Sequence, residues 1–172
     1  MKKIIPFKID VIFKTNISEI VSISLENTLQ VKEQLLNRYN FQCQKKVQNF
    51  PFLIGQGAWL ASENLGVHDR VKSVLKHGTL TVGFIGLAEC LKALILKHHG
   101  ESKEAQALGL EIVTHMREKC DMYAEQYHLN FSLIATPAEG LSGRFIKIDK
   151  DVFGEIEGVT NREYYTNSFH VP

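Results

Sequence analysis

Twice along this chain an alternating apolar run feeds directly into a helix start, and this pattern constrains the fold more than any other feature. The first run is Thr79 to Ile85, with Leu80, Val82 and Phe84 on one face, followed by Gly86-Leu87-Ala88-Glu89. Leu87, Leu91, Leu94 and Ile95 then repeat at helical spacing, and His98-His99-Gly100 supplies a basic, glycine-bearing stop. A second helix is expected over Lys103 to Tyr127. Its stripe of Ala105, Leu108, Ile112, Met116, Cys120, Tyr123 and Tyr127 advances by three or four residues throughout. Asn130 to Ala135 reads as the next strand and runs into Thr136-Pro137-Ala138-Glu139. Strands separated by helices must be joined by crossovers, so the alternation predicts an α/β fold with parallel strands.

The flanking regions carry weaker signals. Residues 4 to 24 interleave Ile, Val and Phe with Lys, Asp and Ser, which favours one or two strands. Asn27 or Thr28 is placed to cap a helix with apolar positions Val31, Leu35, Leu36 and Tyr39, ending before Asn49 to Pro51. Phe52 to Asn64 is apolar and glycine-bearing and takes no firm assignment. Tyr164 to Val171 reads as a last strand. There is no repeat, low-complexity tract or linker, and 172 residues suffice for one domain with a real core.

Charge and cysteine usage exclude several classes. Twenty basic residues against 19 acidic ones leave +1, without the basic excess that a nucleic acid or an anionic membrane would require as partner. Cys43, Cys90 and Cys120 are odd in number and far apart, with no CxxC pair. Neither a disulfide framework nor a zinc ribbon follows, and a reducing, cytoplasmic location is expected. The longest uncharged run, Val47 to Ser62, falls short of the ~20 apolar residues of a membrane span. Lys8 and Asp10 interrupt any signal-peptide core.

The strongest chemical candidate is the second junction. Thr136 fits a helix cap, Pro137 the first helical position and Glu139 the third. The free N–H groups of such an end, followed by Gly140, Ser142 and Gly143, form a natural phosphate seat, to which Arg144 could add a bidentate contact. The competing reading is a plain capping box, with Glu139 reaching back to the Thr136 backbone. A carboxylate there would also oppose a phosphate. Turned away and enclosed, Glu139 could instead act as acid or base. At the first junction, Gly83 and Gly86 permit close approach of a neighbour or a ligand, with packing the simpler account. Cys90 lies in the first helical turns, where a thiolate is favoured, against the commoner buried structural cysteine. Gly55-Gln56-Gly57 does not continue to GxGxxG, and Gly140-Leu141-Ser142-Gly143 is one residue short of GxSxG. No HExxH occurs, and His98 and His99 are expected to be solvated. Asn167-Ser168-Phe169-His170 is a polar strand end of the kind that lines α/β sites.

With those junctions in place, five stretches resemble the anaerobic, class III ribonucleoside-triphosphate reductases, which are glycyl-radical enzymes. They are NFPFLIGQGAW (Asn49 to Trp59), LKHGTLTVGFIGLAE (Leu75 to Glu89), ALGLEIVTHMREKCD (Ala107 to Asp121), FSLIATPAEGLSGRF (Phe131 to Phe145) and EYYTNSFHVP (Glu163 to Pro172). The resemblance spans about Leu29 to Pro172, leaving residues 1 to 27 unassigned and 28 to 172 as a partial barrel domain. It implies part of a ten-stranded α/β barrel and reduction of ribonucleoside triphosphates to deoxyribonucleoside triphosphates by glycyl and thiyl radical chemistry. Formate would be the reductant. A radical-SAM activating enzyme and a homodimer are implied as partners, with zinc and ATP/dNTP effectors bound outside this segment. The stretch matching ATPAEGLS implies a substrate phosphate seat formed by Thr136, Ala138, Gly140, Leu141 and Ser142, with Glu139 as an active-site carboxylate. Departures accompany the match. The three cysteines stand in Gln42-Cys43-Gln44, Glu89-Cys90-Leu91 and Lys119-Cys120-Asp121, none in the family's Gly-Cys-Arg context, and the glycyl-radical loop and four-cysteine zinc site are absent. The expectation is an internal fragment of the catalytic subunit, inactive alone. The alternative is a stand-alone nucleotide- or phosphate-binding module that recruits a partner.

Overall fold

The computed structural model describes residues 17–172, with side chains described from Thr28 onward. In chain order the elements are helices α1 (Ile17–Cys43) and α2 (Lys72–Leu75), strand β1 (Thr79–Phe84), helices α3 (Leu87–Ile95) and α4 (Lys103–Tyr127), strand β2 (Asn130–Ala135) and helix α5 (Glu139–Phe153). The two strands pair with each other. Contacts advance together along both: the Asn130 side chain donates to Gly78 O, Thr81 Oγ1 meets Ser132 Oγ at 3.0 Å, and Thr136 N donates to Phe84 O at 3.1 Å. The strands are therefore parallel, as the crossover through α3 and α4 requires.

The chain divides into two compact units. One holds Gly83–Glu118 and Leu133–Pro172, the other Thr28–Val82 and Lys119–Ser132. In the first, Leu91, Leu108 and Ile112 form the buried centre, with Leu87, Leu94, Ile95 and Met116 against them. These are the apolar positions expected of α3 and α4. In the second, Val47, Ile54, Val71 and Val74 are buried beneath Phe50, Trp59, Leu65 and Leu75, and Trp59 Nε1 donates to Val74 O at 2.8 Å. The Phe52 to Asn64 stretch is irregular, turning Ile54 inward and leaving Phe52 and Leu60 exposed.

Four expectations are corrected. The strands expected over residues 4 to 24 fall partly outside the described residues, and from Ile17 onward the chain is helical. α1 thus begins ahead of Asn27 and Thr28 and ends at Cys43, because Ile and Val cost a helix only a few tenths of a kcal/mol each. Its inward stripe includes Lys32, 5% exposed, whose ammonium meets Tyr127 Oη and Glu33 and lies over the rings of Tyr123 and Tyr127. α3 stops at Leu96, which adopts a left-handed conformation (φ 63°), ahead of Gly100. His98 and His99 are half-buried; His98 Nδ1 accepts from Gly100 N, and its backbone N–H is held by Glu101. Tyr164–Val171 forms no strand. Asn167 Oδ1 accepts the N–H groups of Phe169 and His170, each at 2.8 Å, and so folds the segment into a side-chain-held turn.

Candidate functional site

Both parallel strands end, at their carboxyl ends, in loops of the first unit, the position where open α/β sheets place ligands. The irregular 162–170 segment ties those loops. Gly86 N donates to Thr166 O at 2.7 Å, and Ser168 N reaches Thr136 O at 3.4 Å. Gly86 adopts φ 77° with the Tyr165 ring beside it, and a Cβ on Gly83 would stand 3.1 Å from Thr136 Cβ and Cγ2. The two glycines therefore serve packing at this junction.

A buried carboxylate fastens the arrangement. Glu89, 1% exposed, accepts from Arg162 Nη1 (2.8 Å), Thr166 Oγ1 (2.8 Å) and Thr166 N (3.1 Å). Beside it Tyr165 Oη donates to Asp149 Oδ2 at 2.7 Å, and Asp149 Oδ1 is buried without a partner. Burial raises the carboxyl pKa of Asp149, and the Tyr165 bond lowers it by less. Burial, then the hydrogen bond to Asp149, raises that of Tyr165. Cys90 packs against Val159, and its thiol is pushed up to about 12 by burial first and the Glu89 charge second. The thiolate reading of Cys90 is thereby corrected in favour of the structural one.

The start of α5 departs from the expected cap. Thr136 is still paired in the sheet through its N–H, and its side chain covers Gly83, so neither group is free to cap. The N-cap is Ala138, left-handed at φ 35°, with no side-chain cap bond, and the helix begins at Glu139. Ala138 O accepts both Leu141 N (3.0 Å) and Ser142 N (2.8 Å). The N–H groups of Glu139 and Gly140, one turn ahead of any intrahelical acceptor, open the helix. Glu139, Gly140, Leu141 and Arg144 are exposed, and nothing lies within 4 Å of where a Gly140 Cβ would be. The enclosed carboxylate expected of Glu139 is thus not formed by the described residues. Ser142, in contrast, is fully buried; its hydroxyl donates to Glu139 O (2.8 Å) and accepts from Asn167 Nδ2 (3.2 Å). With Asn167 Oδ1 already holding two backbone amides, His170 Nδ1, 3.1 Å from Asn167 Nδ2, is the acceptor of that pair.

The second unit has a cavity of about 250 Å³ lined mainly by apolar side chains, among them Leu35, Tyr39, Trp59 and Leu80. No residue of either junction's helix start lines it. Among the described residues, no group of three His, Cys, Asp or Glu side chains is placed to hold a metal ion, and no helix is long and apolar enough to cross a membrane.

The family model for anaerobic ribonucleoside-triphosphate reductase matches residues 9–172. This chain belongs to that family. The reductase of Escherichia coli (strain K12) is 36% identical over 129 residues, covering 73% of this chain and 18% of that relative. The Haemophilus influenzae reductase is 34% identical over 143 residues, covering 81% and 20% respectively. The chain thus spans 18–20% of the length of these curated relatives. The crystal structure of the anaerobic ribonucleotide reductase from Thermotoga maritima superposes with a TM-score of 0.65 over 90% of this chain and 23% of that one, at 18% identity. That likeness supports the mixed α/β fold. The residues singled out at the second junction do cluster in one place, but as two classes: Gly140, Leu141 and Glu139 face outward, whereas Ser142 is internal. Glu89, Arg162 and Thr166 were not picked out as a set. A lone acid within the apolar helix Leu87–Ile95 was the signal that could have found them.

Proposed function

We propose that this chain supplies the substrate-phosphate end of an anaerobic ribonucleoside-triphosphate reductase. Its two parallel strands would form part of the ten-stranded barrel implied by the sequence resemblance. The observation that carries this reading is the opening of α5. Its first residues, Glu139 and Gly140, are exposed beyond the carboxyl end of β2, with nothing within 4 Å of where a Gly140 Cβ would stand, behind left-handed Ala138. Consecutive amides in such a turn form an anion-binding concavity, and the helix dipole adds to it. A ribonucleoside triphosphate would set its phosphates on the N–H groups of Glu139 and Gly140, with Ala138 and Leu141 flanking them and Arg144 one turn along. Thr136 and Ser142 shape this seat from within. Glu139 would lie at its mouth as the tentative active-site carboxylate.

The chain's part in this reading is to bind and orient. Cys43 and Cys120 are buried and Cys90 packs against Val159, so none of the three thiols is assigned to the radical step. The glycyl radical and its thiyl partner supply hydrogen-atom abstraction from the ribose, with formate as reductant. In this reading those groups, zinc and the nucleotide effectors belong to other parts of the full-length enzyme, which acts as a homodimer charged by a radical-SAM activating enzyme.

The test is triphosphate binding to the 172-residue chain, followed by calorimetry. Gly140→Asp places a carboxylate at the helix start, where there is room for it and where the dipole favours it. It should weaken triphosphate binding about tenfold or more, by direct charge competition, without lowering the melting temperature. Unchanged binding in this variant would refute the seat. Reduced chain supplied with triphosphate and formate should form no deoxynucleotide; turnover would refute the restriction to binding.

A further inference from the structure

The buried contact between Ser142 and Asn167 does something the exposed helix start cannot do for itself. Ser142 Oγ donates to Glu139 O at 2.8 Å and in turn accepts from Asn167 Nδ2 at 3.2 Å. The Glu139 carbonyl belongs to the same planar peptide unit as the Gly140 N–H, and the two point in opposite directions. Fixing that carbonyl from inside the protein therefore fixes where the Gly140 N–H points outside it. Asn167 is itself immobilised: it is 8% exposed, its Oδ1 holds the amides of Phe169 and His170, and its Nδ2 also meets His170 Nδ1. The residue carrying the 162–170 segment over the strand ends is thus bonded, through one hydroxyl, to the peptide that opens α5.

We propose that Asn167 is a positioning residue that acts through Ser142 to orient and polarise the Gly140 amide toward a bound triphosphate. Hydrogen bonds in series strengthen one another in a low-dielectric interior, so the chain from Asn167 Nδ2 to Ser142 Oγ to Glu139 O makes the Gly140 N–H a better donor as well as a better-aimed one. The inference rests on the proposed phosphate seat, and the experiment separates the two.

The Gly140 amide is followed by ¹H–¹⁵N NMR in the 172-residue chain and in Asn167→Ala, first without nucleotide. An upfield displacement of the Gly140 amide proton relative to wild type is expected, with the α4 amide resonances unmoved. Triphosphate titration should then show affinity lowered about fivefold to tenfold, the loss of one oriented hydrogen bond. Ser142→Ala breaks the same relay while leaving the Asn167 side chain and its bonds to Phe169 and His170 in place, and it should reproduce both effects even if Asn167→Ala fails to fold. An unmoved Gly140 amide in the folded variants overturns the proposal. So does unchanged triphosphate affinity in a folded variant, where the wild-type chain binds triphosphate. If wild-type chain binds no triphosphate yet the amide moves as expected, the positioning relay stands and the phosphate seat fails.

Discussion

Removing Arg162 should cost more than removing the charge it neutralises, and the pair should show a non-additive cycle. Glu89 is 1% exposed and takes all three of its bonds from Arg162 and Thr166. Arg162→Ala leaves that carboxylate buried without a cation, which in a closed interior costs about 3–5 kcal/mol. The Arg162 side chain is 24% exposed, so water can reach the vacated edge, and about 2–3 kcal/mol is the expected loss here. Glu89→Gln keeps the shape, and its remaining oxygen can still accept from Arg162 and Thr166 Oγ1. Its NH₂, however, faces the Thr166 N–H and strands one donor, for about 2 kcal/mol. In the double variant no charge is stranded, so its loss should stay near about 2 kcal/mol rather than the roughly 4–5 of the summed singles. Urea unfolding followed by helical circular dichroism measures all four corners. A double variant whose loss equals that sum to within about 0.5 kcal/mol would refute a buried carboxylate held by Arg162.

Three further outcomes are expected. Leu96→Gly removes left-handed strain of about 1–2 kcal/mol against a glycine entropy cost of about 0.4–1, at an 83% exposed residue whose N–H bond to Lys92 O survives; thermal melting should show a net gain of about 0.5–1 kcal/mol. Burial raises the Asp149 carboxyl pKa from 3.8 and so favours its protonated form in the folded state; that contribution is complete at low pH and is lost as pH rises through the raised value. Asp149→Asn cannot ionise, and stability measured against pH should therefore improve relative to wild type on going upward from about pH 4, with no such divergence if the carboxyl is solvated. Cys90, at a pKa of about 12, is roughly one part in ten thousand thiolate at pH 8, so iodoacetamide should modify it only once urea opens the fold; rapid native labelling would contradict the packing against Val159.

What was legible in the sequence follows which interactions are periodic. α4 and β2 have their expected bounds, and β1 ends one residue earlier than expected; α4 and β1 each turn one face inward along their length and so write a period into the sequence, whereas β2 buries Phe131 and leaves Ile134 and Ala135 exposed. Ile17 to Ser24 misled because β-branched residues favour strands only weakly, and a helix continuing through them loses little. Tyr164–Val171 misled for the opposite reason. The Asn167 carboxamide captures the backbone amides of Phe169 and His170 and removes the donors a strand would need.

The second junction shows the same limit at the scale of one residue. Thr136, Pro137 and Glu139 satisfy the local rules for a cap, yet the helix starts two residues later than a Thr136 cap requires. The deciding contact is 52 positions away in sequence, where Phe84 O keeps Thr136 extended in the sheet. Gly83 is the complementary mark of the same event, a position emptied so that the Thr136 side chain can lie on the strand. Local pattern thus located the start of α5 to within a turn. It could not reveal that Glu89, Asn167 and Ser142 form the interior that holds that start. Those bonds join residues 73, 77 and 25 positions apart, and no spacing rule relates one polar side chain to another over such separations. A buried acid in an otherwise apolar helix is the trace such a network leaves. Glu89 should therefore be read as a demand for a distant donor, which Arg162 and Thr166 meet.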